Sequence, residues 1–128
     1  MKSKVKVTLE LPALISKKEA IEILKKEALK KKFKKTKLFE KYSKNKNIAF
    51  EIAEYVEKYL KKYHKNLNFS ILLDYDLDDE MNIICVLVKD IDSNEKIIIE
   101  NKLYSLIDSK FEDAPLYNAV IIMREYNE

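Results

Sequence analysis

Residues 72–82 read LLDYDLDDEMN and hold the chain's densest carboxylates: Asp74, Asp76 and Asp78 alternate, with Asp79 and Glu80 directly after them. Carboxylates are the usual donors to hard cations, so the first chemistry to test is a metal site. A helix–loop–helix calcium loop needs oxygen donors at its first, third and fifth positions, Gly at the sixth and a bidentate Glu at the twelfth. Counted from Asp74, the first three are present, but the sixth is Asp79 and the twelfth is Cys85. The calcium loop fails on both counts. A two-metal hydrolytic site also uses carboxylates. On a strand, Asp74, Asp76 and Asp78 point to one side at steps of roughly 7 Å, too far apart to hold one ion without further ligands. The opposite face, Phe69, Ile71, Leu73, Tyr75 and Leu77, is apolar. The segment therefore reads first as a strand running into a solvated hairpin end, with Asp74, Asp76 and Asp78 as its metal candidates. A charged strand end also keeps a sheet from pairing with others.

The chain contains no glycine. Phosphate-cradling loops need Gly where the backbone approaches the ligand or takes positive φ. This excludes a Walker A loop, a dinucleotide fingerprint and a G-x-S-x-G elbow, and with them a KH-type GXXG clamp. Turns must rely on Asn and Asp. The one cysteine, Cys85, lies in the apolar run NIICVLV and reads as a small buried hydrophobe with no nearby His to activate it. The one histidine, His64, has no metal-binding neighbour and sits where a helix should end. No catalytic set emerges and no cofactor is implied, so the chain reads as a non-enzyme.

The elements that carry these residues follow from periodicity. Val5, Val7, Leu9 and Leu11 alternate with polar residues, the pattern of a half-buried strand that Pro12 ends. Ser16 and Glu19 have capping-box spacing and open a helix over 17–32, with Ala20, Ile21, Leu24 and Ala28 as its stripe. Leu38, Phe39 and Tyr42 resume the stripe after a bend. A second helix opens at Asn47 and ends near 64–66, with Ile48, Ile52, Tyr55, Val56, Tyr59, Leu60 and Tyr63 at helical spacing. Strands over 69–77 and 81–91 follow. Asp92 and Glu95 cap a third helix to about Lys110, carried by Ile99, Leu103, Leu106 and Ile107. The isoleucine run at 96–100 leaves a strand there as the alternative. A last strand covers 116–126. The order β-α-α-β-β-α-β implies an α+β fold, a ferredoxin-like sandwich with an extended Lys-rich helical segment between strands 1 and 2. At 128 residues the chain is expected to form a single domain.

Charge divides the chain. Residues 1–65 carry 20 Lys against 8 Glu, a net of +12, and residues 66–128 carry 5 basic against 14 acidic residues, a net of −9. The basic half concentrates Lys25, Lys26, Lys30, Lys31, Lys32, Lys34, Lys35, Lys37 and Lys41, with Lys44 and Lys46 beyond. Such a run is either a solvated face, one that pairs with the acidic half, or an electrostatic footprint for nucleic acid. Of the 25 basic residues, 24 are Lys. That favours phosphate contact over the bidentate base contacts that Arg makes. Tyr55, Tyr59 and Tyr63 form a stripe that could stack bases, but they share it with Ile52, Val56 and Leu60, so core or interface is the first expectation. No run approaches the roughly 18 apolar residues of a membrane span, and the start alternates charged with apolar residues, unlike a secretion signal. With one cysteine and this Lys/Glu/Ile-rich composition, a cytoplasmic, thermophile-like protein is expected.

The stretch VKVTLELPALISKKEAIEILKKEALKKK, followed by LFEKY, resembles archaeal antitoxin-like small proteins. These commonly open with a short V-x-L-E-L-P-type strand and continue with a helix of the form EEA-x-x-x-L-x-x-EAL-x-x-K. The matching residues are Leu9, Glu10, Leu11, Pro12, Glu19, Ala20, Leu24, Glu27, Ala28, Leu29 and Lys32. The resemblance covers about a third of the chain and implies a non-catalytic regulator that binds a partner, with DNA among the candidates. Three readings follow. The first is a regulatory protein whose Lys-rich half contacts nucleic acid or an acidic protein. The second is a homo-oligomeric assembly module with charge-paired subunits. The third is a metal-dependent hydrolase built on the acidic hairpin.

Overall fold

A computed structural model describes residues 16–111 and 118–124. The expected first strand lies outside them. The chain divides into two compact units, 1–32 and 33–128, and each is taken in turn.

The described part of the first unit is helix α1, Lys17–Lys32. Its start is the expected capping box. The Glu19 amide donates to Ser16 Oγ at 3.1 Å, and the Ser16 amide donates to Glu19 Oε1 at 3.3 Å. Two of the amides a helix start leaves open are satisfied reciprocally. No residue of α1 is buried, and Ile21 and Leu24 of the expected stripe are exposed.

The second unit begins with a two-residue strand β1, Lys34–Lys35, followed by α2, Lys37–Tyr42, and α3, Lys46–Tyr63. Then come β2, Phe69–Asp76, β3, Met81–Val88, α4, Ser93–Lys110, and β4, Asn118–Arg124. The sheet order is β1-β2-β3-β4. β1 runs parallel to β2, β2 antiparallel to β3, and β3 parallel to β4. The protein is thus α+β, with four helices and one four-stranded mixed sheet among the described residues. The ferredoxin-like arrangement is not confirmed by this pairing. There, another strand separates the parallel strands on either side of a helix, whereas here α4 joins direct neighbours.

Register assigns the faces. Tyr75 lies opposite Asn82, Leu73 opposite Ile84 and Ile71 opposite Val86. Ile84 in turn lies opposite Val120, and Val86 opposite Ile122. All of these are buried. Helix α3 contributes Ile52, Val56 and Leu60 together with Ala49, Phe50 and Ala53, and α4 contributes Ile99, Leu103 and Ile107. Each large side chain buried in this way is worth about 1.5–3 kcal/mol. That is ample to outweigh the slight helix reluctance of β-branched residues and explains why 96–100 is helical. Ile99 packs inward while Ile97 and Ile98 stay exposed. Asp92 caps α4, its Oδ1 accepting the Glu95 amide at 2.8 Å.

The Lys-rich connection differs from the expected bend. Phe33 and Phe39 are both buried and anchor the chain on either side of β1. Between them the Thr36 amide donates to the Leu73 carbonyl at 2.9 Å, which seats β1 beside β2. Thr36 then caps α2 by accepting the Phe39 amide at 3.2 Å.

Candidate nucleic-acid interface

The lysines named from the sequence fall on both units. On α1, Lys25, Lys26, Lys31 and Lys32 are exposed, while Lys30 is half-buried and lies 3.3 Å from Glu27. In the second unit, Lys34 points outward because its neighbour Phe33 is buried, and Lys37 and Lys41 are exposed on α2. Lys25, Lys26, Lys31, Lys34 and Lys37 make no ion pair among the described residues. The others are partly engaged. Lys35 is half-buried, donates to the Phe33 carbonyl at 3.1 Å and lies 5.6 Å from the Phe50 ring centre. Lys41 sits 5.2 Å over the Tyr42 ring. Lys46 donates to the Ser43 carbonyl at 2.8 Å.

The acidic segment meets this stretch at one end of the sheet. Asp74 is half-buried, and its Oδ1 accepts the Thr36 hydroxyl at 2.7 Å and the Tyr75 amide at 2.8 Å. Asp76 ends β2, and its Oδ1 accepts the amides of Asp78 and Asp79 at 2.9 and 3.2 Å. These bonds build the turn that the sequence must make without glycine. Asp78 therefore lies in the turn, and Leu77, expected on the buried face, is exposed there. Glu80 closes the turn in the left-handed region at φ 52°. The reach across to the basic half is slight: Lys44 and Glu80 stand 3.9 Å apart with both side chains mostly exposed. Such a pair is worth at most about 1 kcal/mol. Among the described residues, no group of three His, Cys, Asp or Glu side chains is placed to hold a metal ion.

Beneath this end lies a buried polar chain that the sequence did not reveal. Ser43 Oγ donates to Asn82 Oδ1, and Asn82 Nδ2 donates to Asn118 Oδ1 at 2.9 Å. The three residues are 6%, 3% and 4% exposed. They tie the α2–α3 link to β3 and β4, and so hold the segment that presents Lys34, Lys37 and Lys41.

Cys85 is buried on the other sheet face, as its apolar run implied. Burial, and after it the Asp74 carboxylate, push its thiol above the ordinary range. That disfavours the thiolate a nucleophile needs. His64 is the C-cap of α3, but its backbone makes the capping bond, to the Leu60 carbonyl at 2.8 Å, while its ring lies beside Tyr59.

The tyrosine stripe is not core. Tyr55 and Tyr59 are half-buried and Tyr63 is 60% exposed, whereas Ile52, Val56 and Leu60 are buried. The tyrosines run along the flank of the core-facing stripe, close enough in angle for periodicity alone to merge the two.

No helix among the described residues is long and apolar enough to cross a membrane. No family model matches the chain, and no solved structure matches it. Over 76 residues it is 40% identical to an uncharacterised protein of Methanocaldococcus jannaschii, an alignment covering 50% of this chain and 52% of that protein. The chain thus spans about half the length of the curated relative it matches. The likeness is to an archaeal protein and assigns the chain to no family.

Proposed function

We propose that this chain is a non-catalytic regulatory binding protein of the cytoplasm whose Lys-rich half engages nucleic acid through its phosphates. One observation carries the reading: Lys25, Lys26, Lys31, Lys34 and Lys37 are exposed and make no ion pair among the described residues. A lysine that already neutralises a carboxylate gains little from a phosphate. An open one releases condensed counterions when it binds, and that release drives association. The near-absence of Arg favours backbone contact without base readout. The resemblance of residues 5–42 to antitoxin-like proteins supports a small regulator, without naming its target.

The test is a titration with duplex and single-stranded nucleic acid across a salt series. Each lysine that meets a phosphate steepens the slope of log K against log salt by about 0.9 on duplex. Absence of binding in low-salt buffer overturns the reading.

A second reading has its own support, since Asp78, Asp79 and Glu80 are exposed as well. In that case the open lysines of one copy meet the acidic turn of another, and the chain is an assembly module. Light scattering then reports an oligomer that dissociates as salt rises, in the absence of any nucleic acid.

A further inference from the structure

We propose that Tyr55, Tyr59 and Tyr63 of α3 form a stacking platform for single-stranded nucleic acid. The inference rests on the nucleic-acid reading above and adds to it a second surface, a ligand class and a different force.

Three observations carry it. First, the tyrosines lie beside the core face rather than in it, and Tyr63 is 60% exposed. An aromatic ring left that open contributes little to folding through burial. Second, the rings are ordered by each other. Tyr59 and Tyr63 have ring centres 4.9 Å apart with planes at 41°, and Tyr55 meets Phe111, at the end of α4, edge-on at 5.8 Å and 81°. Neighbouring rings thus hold the platform in place before any ligand arrives, which lowers the ordering cost of binding. Third, ammonium groups already sit over these rings: Lys62 lies 5.2 Å from the Tyr63 centre, and Lys110 lies 5.4 Å from that of Tyr55. A base that stacks on one of these rings displaces the ammonium from its face, and the lysine stem keeps the charge within reach of the phosphate alongside.

The nearby charge also selects the ligand. Lys58 and Lys61 stand 3.7 Å from Glu54 and Glu57, so they are partly neutralised. Phosphate contact alone is therefore weak on this flank, and stacking must supply the rest. Duplex bases hide their faces in the stack, whereas single strands offer them. The platform should prefer single strands, with a shallower salt dependence than the open lysines show on duplex.

The chain has eight tyrosines and no tryptophan, so tyrosine emission is observed directly. The experiment titrates the full chain with a thymidine oligonucleotide of about 12 nucleotides, within the range of known single-strand sites, and separately with a duplex of the same length. Tyr63→Ala and Tyr59→Ala each lower single-strand affinity about tenfold, while duplex affinity changes less than about twofold. Tyr63→Phe keeps the single-strand affinity. Because Tyr63 is exposed, Tyr63→Ala keeps the parent melting temperature and decides the matter even if Tyr59→Ala unfolds. Single-strand binding by Tyr63→Ala equal to the parent, or an equal loss on both probes, overturns the platform. Failure of the parent to bind either probe overturns the phosphate reading together with it. Binding of both probes that ignores the tyrosines removes the platform alone.

Discussion

Replacing Asn82 with leucine tests whether the buried polar chain holds the sheet end together. Asn82 is 3% exposed, accepts the Ser43 hydroxyl and donates to Asn118 at 2.9 Å. Leucine preserves most of the volume, so the cost comes from polar atoms left without their partner. A buried donor or acceptor stranded in this way costs about 1–3 kcal/mol. Two groups lose this partner: the Ser43 hydroxyl and the Asn118 side-chain carbonyl. The hydroxyl can turn toward another acceptor, which brings the expected loss for Asn82→Leu to about 3 kcal/mol. Against a typical total of about 5–15 kcal/mol, that is a large share. With a urea slope near 2 kcal/mol per molar, the midpoint falls by about 1.5 M and the slope stays the same. Ser43→Ala strands the Asn82 carbonyl and costs about 1–3 kcal/mol. The double variant loses less than the sum of the two, by about 1 kcal/mol, because both remove the same bond. A loss below about 1 kcal/mol in both single variants, or strict additivity, refutes the reasoning.

Further outcomes follow from the same geometry. Thr36→Ala removes both the α2 cap and the hydrogen bond to Asp74; about 2 kcal/mol is lost in urea unfolding, and a loss under 0.5 would contradict the role. The Cys85 thiol is raised by burial and by Asp74, so its folded pKa lies above its unfolded one. The stability this gives is complete below about pH 8.5 and is lost as pH rises through the alkaline range. Urea midpoints therefore fall above that pH, and Cys85→Ala flattens the fall. Glu100 accepts the Ile122 amide at 2.8 Å on β4, which ends the sheet order among the described residues. Glu100→Ala frees that edge amide, costs about 1–2 kcal/mol and increases self-association in light scattering.

Elements with strong periods or explicit caps were legible. Helix α1 starts on the Ser16–Glu19 box, and α4 starts on Asp92, as their spacing required. The acidic turn was legible as a hairpin end. The role of Asp76 in building it was not, because an Asp accepting the amides two and three residues on looks in sequence like any other carboxylate. β1 was invisible. KFKKTK has no strand pattern, and these residues become a strand only because β2 offers them a partner and Phe33 and Phe39 pin the ends. The polar chain was hidden for a related reason: Ser43, Asn82 and Asn118 lie 39 and then 36 residues apart along the chain. The core half of the core-or-interface expectation for the tyrosine stripe did not hold, because a 3.6-residue period cannot separate a core face from its flank.

The central claim is that the open lysines bind phosphate. Its most direct test compares the parent with a variant carrying Lys25→Gln, Lys26→Gln, Lys34→Gln and Lys37→Gln in a salt series on duplex. The account predicts folded protein whose log K slope against log salt is shallower than the parent's by about 3–4, close to one per lysine removed. A slope equal to the parent's would contradict it.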